Sequence, residues 1–134
     1  MSEHAPEALI EPFWESAARG VLSLQHCSAC ERFIHFPLVA CPTCHSAASL
    51  EWRTVSGLGS LYSFIVVHRS RFPAFSSRLP YVVGCVELDE QIGLRMLANL
   101  MCDAEQVQIG MPVEVAFEQL GGIVVPQFRP VVAQ

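Results

Sequence analysis

Four of the six cysteines, Cys27, Cys30, Cys41 and Cys44, fall as two C-x2-C pairs with ten residues between them. Nothing else in the sequence constrains the fold as tightly. A C-x2-C turn brings two sulfurs and nearby backbone N–H groups toward one point. Two such turns complete a tetrahedral S4 site, at about 2.3 Å per bond for Zn2+. Four protein thiolates leave no open coordination position, so the expected metal is structural, zinc with iron as the minor alternative. Disulfides would require an oxidising compartment, and Met1–Glu7 lacks the basic stretch and apolar run of an export signal. A thioredoxin-like motif would occur once and would not repeat ten residues later. His26 and His45 flank the ligands and are placed to substitute or support, but four sulfurs make His ligation unnecessary. Cys85 and Cys102 stand alone and read as small core hydrophobes.

Composition fits one small domain, or one domain with an appended module: 134 residues, 51% hydrophobic and 16% charged. So apolar a chain is not disordered. It carries more apolar surface than a core this small hides, and some of it is expected to face a partner. No apolar run approaches the length of a membrane span, and the chain reads as cytoplasmic. There is no Lys, and eight Arg stand against thirteen Asp and Glu for a net charge of −5. That sign opposes binding to nucleic acid, where phosphate neutralisation supplies much of the affinity. Any anion held here must be small and met by local arginines.

Residues 9–20 read as a helix, with Pro12 in its first turn and Gly20 as its stop. Phe13, Trp14, Ala17 and Ala18 give it an apolar stripe that docks either on its own domain or across a subunit interface. Residues 21–52 form the metal module, which has almost no core beyond the metal. From residue 53 to 130 the pattern is β-rich. A long strand over 54–68 is bent or bulged at Gly57 and Gly59, and strands follow over 81–88, 92–100, 113–119 and 123–128. Asp89-Glu-Gln91 makes the hairpin turn between the second and third, and the polar loop Arg69–Pro80 is the longest connection. Five antiparallel strands in so short a segment predict a small closed barrel, with the OB-fold the commonest choice. The expected architecture is therefore mainly β: an N-terminal helix, a rubredoxin-like zinc ribbon and a C-terminal five-stranded OB-fold barrel.

Several motifs in this order resemble those of the DUF35 family of zinc-ribbon plus OB-fold proteins. They are Phe13-Trp14, Leu24-Gln-His-Cys27, Cys41-Pro-Thr-Cys44, Glu51-Trp52, Val55-Ser-Gly-Leu-Gly-Ser-Leu-Tyr-Ser-Phe64, Val67-His68, Pro80-Tyr81, Val86-Glu-Leu88, Ile109-Gly-Met111, Val113–Glu118 and Pro126-Gln-Phe128. The resemblance covers residues 9–130. It implies an accessory subunit of thiolase-fold enzymes (acyltransferases, thiolases or aldolases), or of MaoC-like enoyl-CoA hydratases. The subunit helps hold the acyl-CoA, and the catalytic groups lie on the partner. One departure stands out: the Pro-Arg common between the family's knuckles is Pro37-Leu38 here, so an anion contact from that Arg is lost or has passed to Arg32.

Coenzyme A presents phosphates and an adenine, which calls for Arg forks and flat apolar surface. Arg32 and His35 supply that mixture between the knuckles, and His68, Arg69 and Arg71 supply it at the barrel loop. Each is equally readable as a solvated charge. Phe33, Phe36 and Phe75 are expected to pack between ribbon and barrel. His68 is a general base by type, but the sequence offers it no nucleophile, so no catalytic residue is expected. The leading functional expectation is a non-catalytic accessory subunit that binds zinc structurally and supports acyl-CoA binding and assembly of a thiolase-fold complex. A MaoC-like hydratase complex is the alternative, and a single-stranded nucleic-acid binder, lacking a basic groove, the more distant one.

Overall fold

A computed structural model of the chain describes residues 5–69 and 79–131. Its elements are α1 (Ala5–Ala18), β1 (Ser23–Cys27), β2 (Arg32–Ile34), β3 (Leu50–Thr54), β4 (Leu58–Val67), β5 (Tyr81–Leu88), β6 (Arg95–Leu100), β7 (Pro112–Leu120) and β8 (Ile123–Pro130). The protein is mainly β, with one helix, a three-stranded sheet ordered β2-β1-β3, and a closed barrel ordered β4-β5-β6-β8-β7. The chain divides into two compact units near Ser56, with Phe117–Val125 belonging to the first unit.

In the first unit, α1 starts earlier than the sequence predicts, and Pro12 lies inside it. Leu9, Ile10, Phe13, Ser16 and Ala17 recur at the helical period and, together with half-buried Pro12, are its half-buried and buried residues. Burial of that face against β1 offsets the backbone bond that Pro12 cannot donate. The helix thus docks on its own unit, leaving Trp14 40% exposed. It ends as expected at Gly20, whose φ is +75°. The Val21 N–H donates to the Ser16 carbonyl and the Gly20 N–H to that of Ala17, the paired bonds of a Schellman cap.

β1 is buried along its whole length. It pairs antiparallel with β2 (His26 opposite Phe33) and with β3 (His26 opposite Glu51). Around the knuckles the buried cluster is Cys27, Ile34 and Cys41, with Cys30 and Leu50 packed against it, while Leu24 on the same sheet is fully buried too. Three of the five around the knuckles are their own cysteines. So small a cluster gives the knuckles themselves little apolar stabilisation without metal.

The second unit holds the larger core: Leu61, Val82, Val86, Leu88, Met96, Leu100, Val113 and Phe128 are all buried. Strand β5 alternates half-buried and buried without a break, the period-2 signature of one face turned to the barrel interior. Three expectations need correction here. The strand predicted over 54–68 is two elements. Arg53 and Thr54 pair with Leu24 and Ser23 in the ribbon sheet, and β4 begins only after Gly57, whose φ of +80° breaks the strand. The third barrel strand starts at Arg95 because Ile92-Gly93 belongs to the turn, Gly93 having φ +83°. Nor are the barrel strands all antiparallel: β6 meets β8 in parallel at Leu100–Phe128, while β4 closes on β7 antiparallel. The order and the parallel closing pair are those of an OB-fold.

Candidate metal centre

The two knuckles present their sulfurs to one point. All four Sγ atoms lie within 4.8 Å of one another, with Cys27–Cys44 at 3.7 Å and Cys30–Cys41 at 3.8 Å. A ZnS4 tetrahedron with bonds of about 2.3 Å has edges of about 3.8 Å, so the side chains fit that ion with little movement. All six cysteines are free of disulfides. Among the described residues no His or carboxylate joins the sulfur group.

The local backbone prepares the sulfurs for metal. The Thr43 N–H points at Cys41 Sγ, 3.4 Å away. Amides of Cys44 and Thr43 bring the Cys41 thiol down to about 6, and the amide of Cys30 lowers Cys27. Ser49 Oγ lies 3.6 Å from Cys27 Sγ and is the only donor of that pair once the sulfur is a thiolate. Cys30 behaves oppositely: its hydrogen bond with Cys44, then burial, pushes it up to about 12. Without metal the cluster favours the thiolate at Cys41 and keeps a proton at Cys30, which a metal ion must displace.

The residue after each knuckle adopts a left-handed backbone: Glu31 at φ 54° and His45 at φ 62°. Glycine takes this conformation without cost. Replacing exposed His45 with Gly is expected to stabilise the ribbon by about 1 kcal/mol and leave metal stoichiometry unchanged. Thermal melts with metal analysis check both, and loss of metal would make His45 a ligand.

Around the centre, the role of Gln25 and the partners of His26 escaped the sequence reading. Gln25, buried in β1, donates through Nε2 to the Leu38 carbonyl (2.9 Å) and accepts the Leu38 N–H at Oε1 (2.8 Å). The amide side chain acts as a short extra strand that fixes the segment between knuckles. Gln25→Leu should cost about 2 kcal/mol by leaving that peptide unpaired, read as a fall in denaturation midpoint. His26, also buried, sets Nδ1 3.0 Å from Glu51 Oε2 and Nε2 3.6 Å from Glu31 Oε2. Arg53 spans the same two carboxylates, at 2.6 Å from Glu51 and 3.8 Å from Glu31. This cluster ties β1 and β3 to the first knuckle. His26, flanking the first knuckle, was its one sequence signal.

The residues expected to meet coenzyme A divide between the units. Arg32 lies exposed on β2, opposite Cys27. His35 is half-buried, its ring 6.1 Å from Phe13 and 4.5 Å from Phe36, and burial lowers its pKa. His68 and Arg69 are exposed beyond β4 in the barrel unit, while Arg71 and Phe75 lie outside the described residues. His68 borders a cavity of about 520 Å³ with Pro80 and Cys102–Gln106. A neighbouring cavity of about 470 Å³ is lined by Tyr81, Asn99, Leu100 and Gln127 near the β6–β8 contact. Cys102 is half-buried rather than a core residue, and burial followed by the Asp103 charge raises its pKa. Cys85 is half-buried too. Phe33 packs edge-on against His26. Phe36 does not pack as expected: 69% of it is exposed, because the preceding strand ends at Ile34 and the segment behind it is held by Gln25. No helix among the described residues is long and apolar enough to cross a membrane.

Comparison with known proteins places this geometry. Residues 14–51 match the family described as ChsH2, rubredoxin-like zinc ribbon domain, and residues 52–118 match ChsH2, C-terminal OB-fold domain. The chain is 42% identical over 127 residues to a probable enoyl-CoA hydratase alpha subunit of Thermomonospora curvata, covering 91% of this chain and 38% of that one. It is 35% identical over 89 residues to a DUF35 domain-containing scaffold protein of Methanocaldococcus jannaschii, covering 65% and 61%. The chain therefore spans less than two thirds of the length of either relative. Among solved structures, a chain of the Ltp2-ChsH2(DUF35) aldolase superposes with a TM-score of 0.83 at 36% identity, covering 92% of this chain and 94% of that one. With ribbon and barrel each matched in turn, and four cysteines converging where the ribbon's metal belongs, the chain is a member of the DUF35 family of ChsH2-type zinc-ribbon and OB-fold proteins.

Proposed function

We propose that this protein is a non-catalytic accessory subunit that binds zinc structurally through Cys27, Cys30, Cys41 and Cys44. In this reading it supports acyl-CoA binding and the assembly of a thiolase-fold acyltransferase, thiolase or aldolase. The observation that carries the proposal is the likeness, over nearly its full length, to a chain of the Ltp2-ChsH2(DUF35) aldolase. The chemistry of the chain agrees with it. Four sulfurs fill the coordination sphere of the ion, so it holds the ribbon together and activates no water. A MaoC-like hydratase partner is the second reading, favoured by the 42% identity to a hydratase alpha subunit.

Acyl-CoA would meet the chain at Arg32 and at His68 and Arg69, exposed groups suited to phosphate. The cavity beside His68 is of ligand size. Arg71 belongs to the same proposal by its place in the loop sequence. His35, packed between two phenyl rings and held neutral, would serve the ribbon more than a phosphate. The acidic balance opposes nucleic acid as a partner, and six free thiols fit a reducing, cytoplasmic setting.

Co-expression with the thiolase-fold or MaoC-like subunit of the same organism tests the reading. The expected result is a stable complex that turns over acyl-CoA, with the isolated chain inert. Arg69→Ala should raise KM for acyl-CoA several-fold and leave kcat nearly unchanged, as loss of uniform binding does. An isolated monomer that hydrolyses or transfers thioesters unaided would overturn the assignment.

A further inference from the structure

The barrel seam between β6 and β8 is thin. Leu100 and Phe128 are the one pair in register, and the Met101 N–H donates to the Phe128 carbonyl at 2.7 Å. Both side chains of that pair are buried. Side chains alternate along a strand, so the neighbouring Asn99 and Gln127 face the other way, and both line the cavity of about 470 Å³ at this seam. The chain then folds back beside them. The Cys102 N–H donates to the Leu100 carbonyl and the Gln106 N–H to that of Asp103, which brings Gln106 to the same cavity wall.

The lining is chemically selective. It holds three carboxamides, Asn99, Gln106 and Gln127, and Gln127 is only 1% exposed, a polar floor built into the barrel wall. Among the described residues that line the cavity there is no Arg, Lys or His, and Asp103 is the one carboxylate. A phosphate seated there would face that carboxylate with no counter-charge. A carboxamide both donates and accepts hydrogen bonds, so three of them suit a neutral chain that carries amides of its own. The second cavity, of about 520 Å³, shares Pro80, Cys102, Asp103 and Gln106 with the first and reaches His68. Together the two make one trough with its basic groups at a single end, His68 and the exposed Arg69 that follows it.

We infer that this trough holds the pantetheine arm of acyl-CoA, with its secondary amides along Asn99, Gln106 and Gln127 and the phosphates kept outside at His68 and Arg69. This rests on the acyl-CoA reading and adds to it which part of the ligand enters the barrel seam and in which direction it runs. Phosphates at the His68 end leave the thioester at the seam end, beside Tyr81 and Pro130. A few placed polar groups in an otherwise mixed lining fix orientation in this way.

Nuclear magnetic resonance on the isotope-labelled, zinc-loaded full chain tests the subsite. Coenzyme A, pantetheine and adenosine bisphosphate serve as separate probes at millimolar concentration. Pantetheine, which carries no phosphate, should shift the resonances of residues 99–106, the side-chain amides of Asn99 and Gln106 included. Adenosine bisphosphate should shift His68 and Arg69 and leave 99–106 in place, and coenzyme A should shift both sets. Asn99→Leu and Gln106→Leu should each weaken pantetheine binding about 5-fold and leave binding of the bisphosphate unchanged. A purely structural role for these amides would spare the pantetheine affinity or move both affinities together. If coenzyme A shifts His68 and Arg69 while pantetheine leaves 99–106 unmoved, the subsite falls and the acyl-CoA reading stands. Equal shifts from N-acetylalanine methylamide, a blocked peptide unit, would make the trough a peptide site and likewise overturn the inference. If no probe moves any resonance, the subsite and the acyl-CoA reading fall together.

Discussion

Removing the metal assigned to Cys27, Cys30, Cys41 and Cys44 is expected to unfold the β1–β3 sheet while the barrel strands keep their amide protection. The asymmetry follows from where each unit finds its stability. The cluster that buries the knuckles is three residues, two of them ligands, so metal binding supplies much of the ribbon's folding free energy, on the order of 10 kcal/mol at neutral pH for sites of this class. The barrel has ten or so apolar side chains turned inward and no ligand to lose. Hydrogen exchange by mass spectrometry, before and after treatment with a strong chelator, should show protection collapse over residues 23–54 and persist over 81–100. Cys41→Ser should reproduce the effect without chelator, because a hydroxyl does not ionise to replace a thiolate at neutral pH. Loss of protection in both units together would show that the metal supports the whole chain.

Acid should release the same metal, and the sign follows from the sulfurs. The Cys41 thiol lies below its ordinary value in the folded chain, at about 6. Its contribution to stability is therefore fully present above the unfolded thiol pKa and is lost as pH falls from there through the folded value of about 6. Cys30 is pushed the other way, to about 12, so it takes back its proton readily when the metal leaves. Zinc retention should fall with decreasing pH and more steeply than a single protonation allows, as a colorimetric metal indicator would record.

The metal centre was legible because its information is local: four cysteines at knuckle spacing specify both a ligand set and the turns that present it. The barrel was legible as a class, since β7 alternates Val113, Val115 and Phe117 against Glu114 and Glu118, but its closure was not. A parallel contact made by one residue pair, Leu100 with Phe128, leaves no periodic trace in either strand. The helix was misplaced at its start because Pro12 imitates a first-turn proline, while tertiary burial of Leu9, Ile10 and Phe13 carries the helix through it. The role of Gln25 and the partners of His26 (Glu51, Arg53 and Glu31) were invisible for a different reason. The groups that Gln25 and His26 meet are Leu38 and residues across the sheet, and pairing across strands is not written in the spacing of either strand. The same holds for Phe36, whose aromatic character pointed inward and whose backbone restraint turns it out.

Gly59→Ala should be among the most damaging single-methyl additions the barrel can receive. A bend or bulge at Gly57 and Gly59 was the sequence expectation. The register shift in fact falls between Leu61 and Ser63, and Gly59 sits in the ladder itself, opposite Leu88 on β5 and Val113 on β7. It is glycine because a β-carbon there would run into the Glu87 carbonyl oxygen, with Val86 Cγ1 at 3.0 Å. The obstructing atom is backbone, hydrogen-bonded within the sheet, and cannot rotate aside. Relief requires β4 to move away from β5 at the point where β4 also closes on β7, so the methyl group disturbs two strand pairings at once. The expected cost is about 3 kcal/mol, or a fall in the barrel's melting temperature on the order of 15 °C. Gly57→Ala offers the internal comparison. Its β-carbon meets Val115 Cγ1, which can change rotamer, and Val115 Cβ at 3.0 Å, which cannot, so a small backbone shift is added to the strain of a non-glycine residue at φ +80°, about 1 kcal/mol. If Gly59→Ala melted no lower than Gly57→Ala, the tight β4–β5 approach would not be what fixes glycine at position 59.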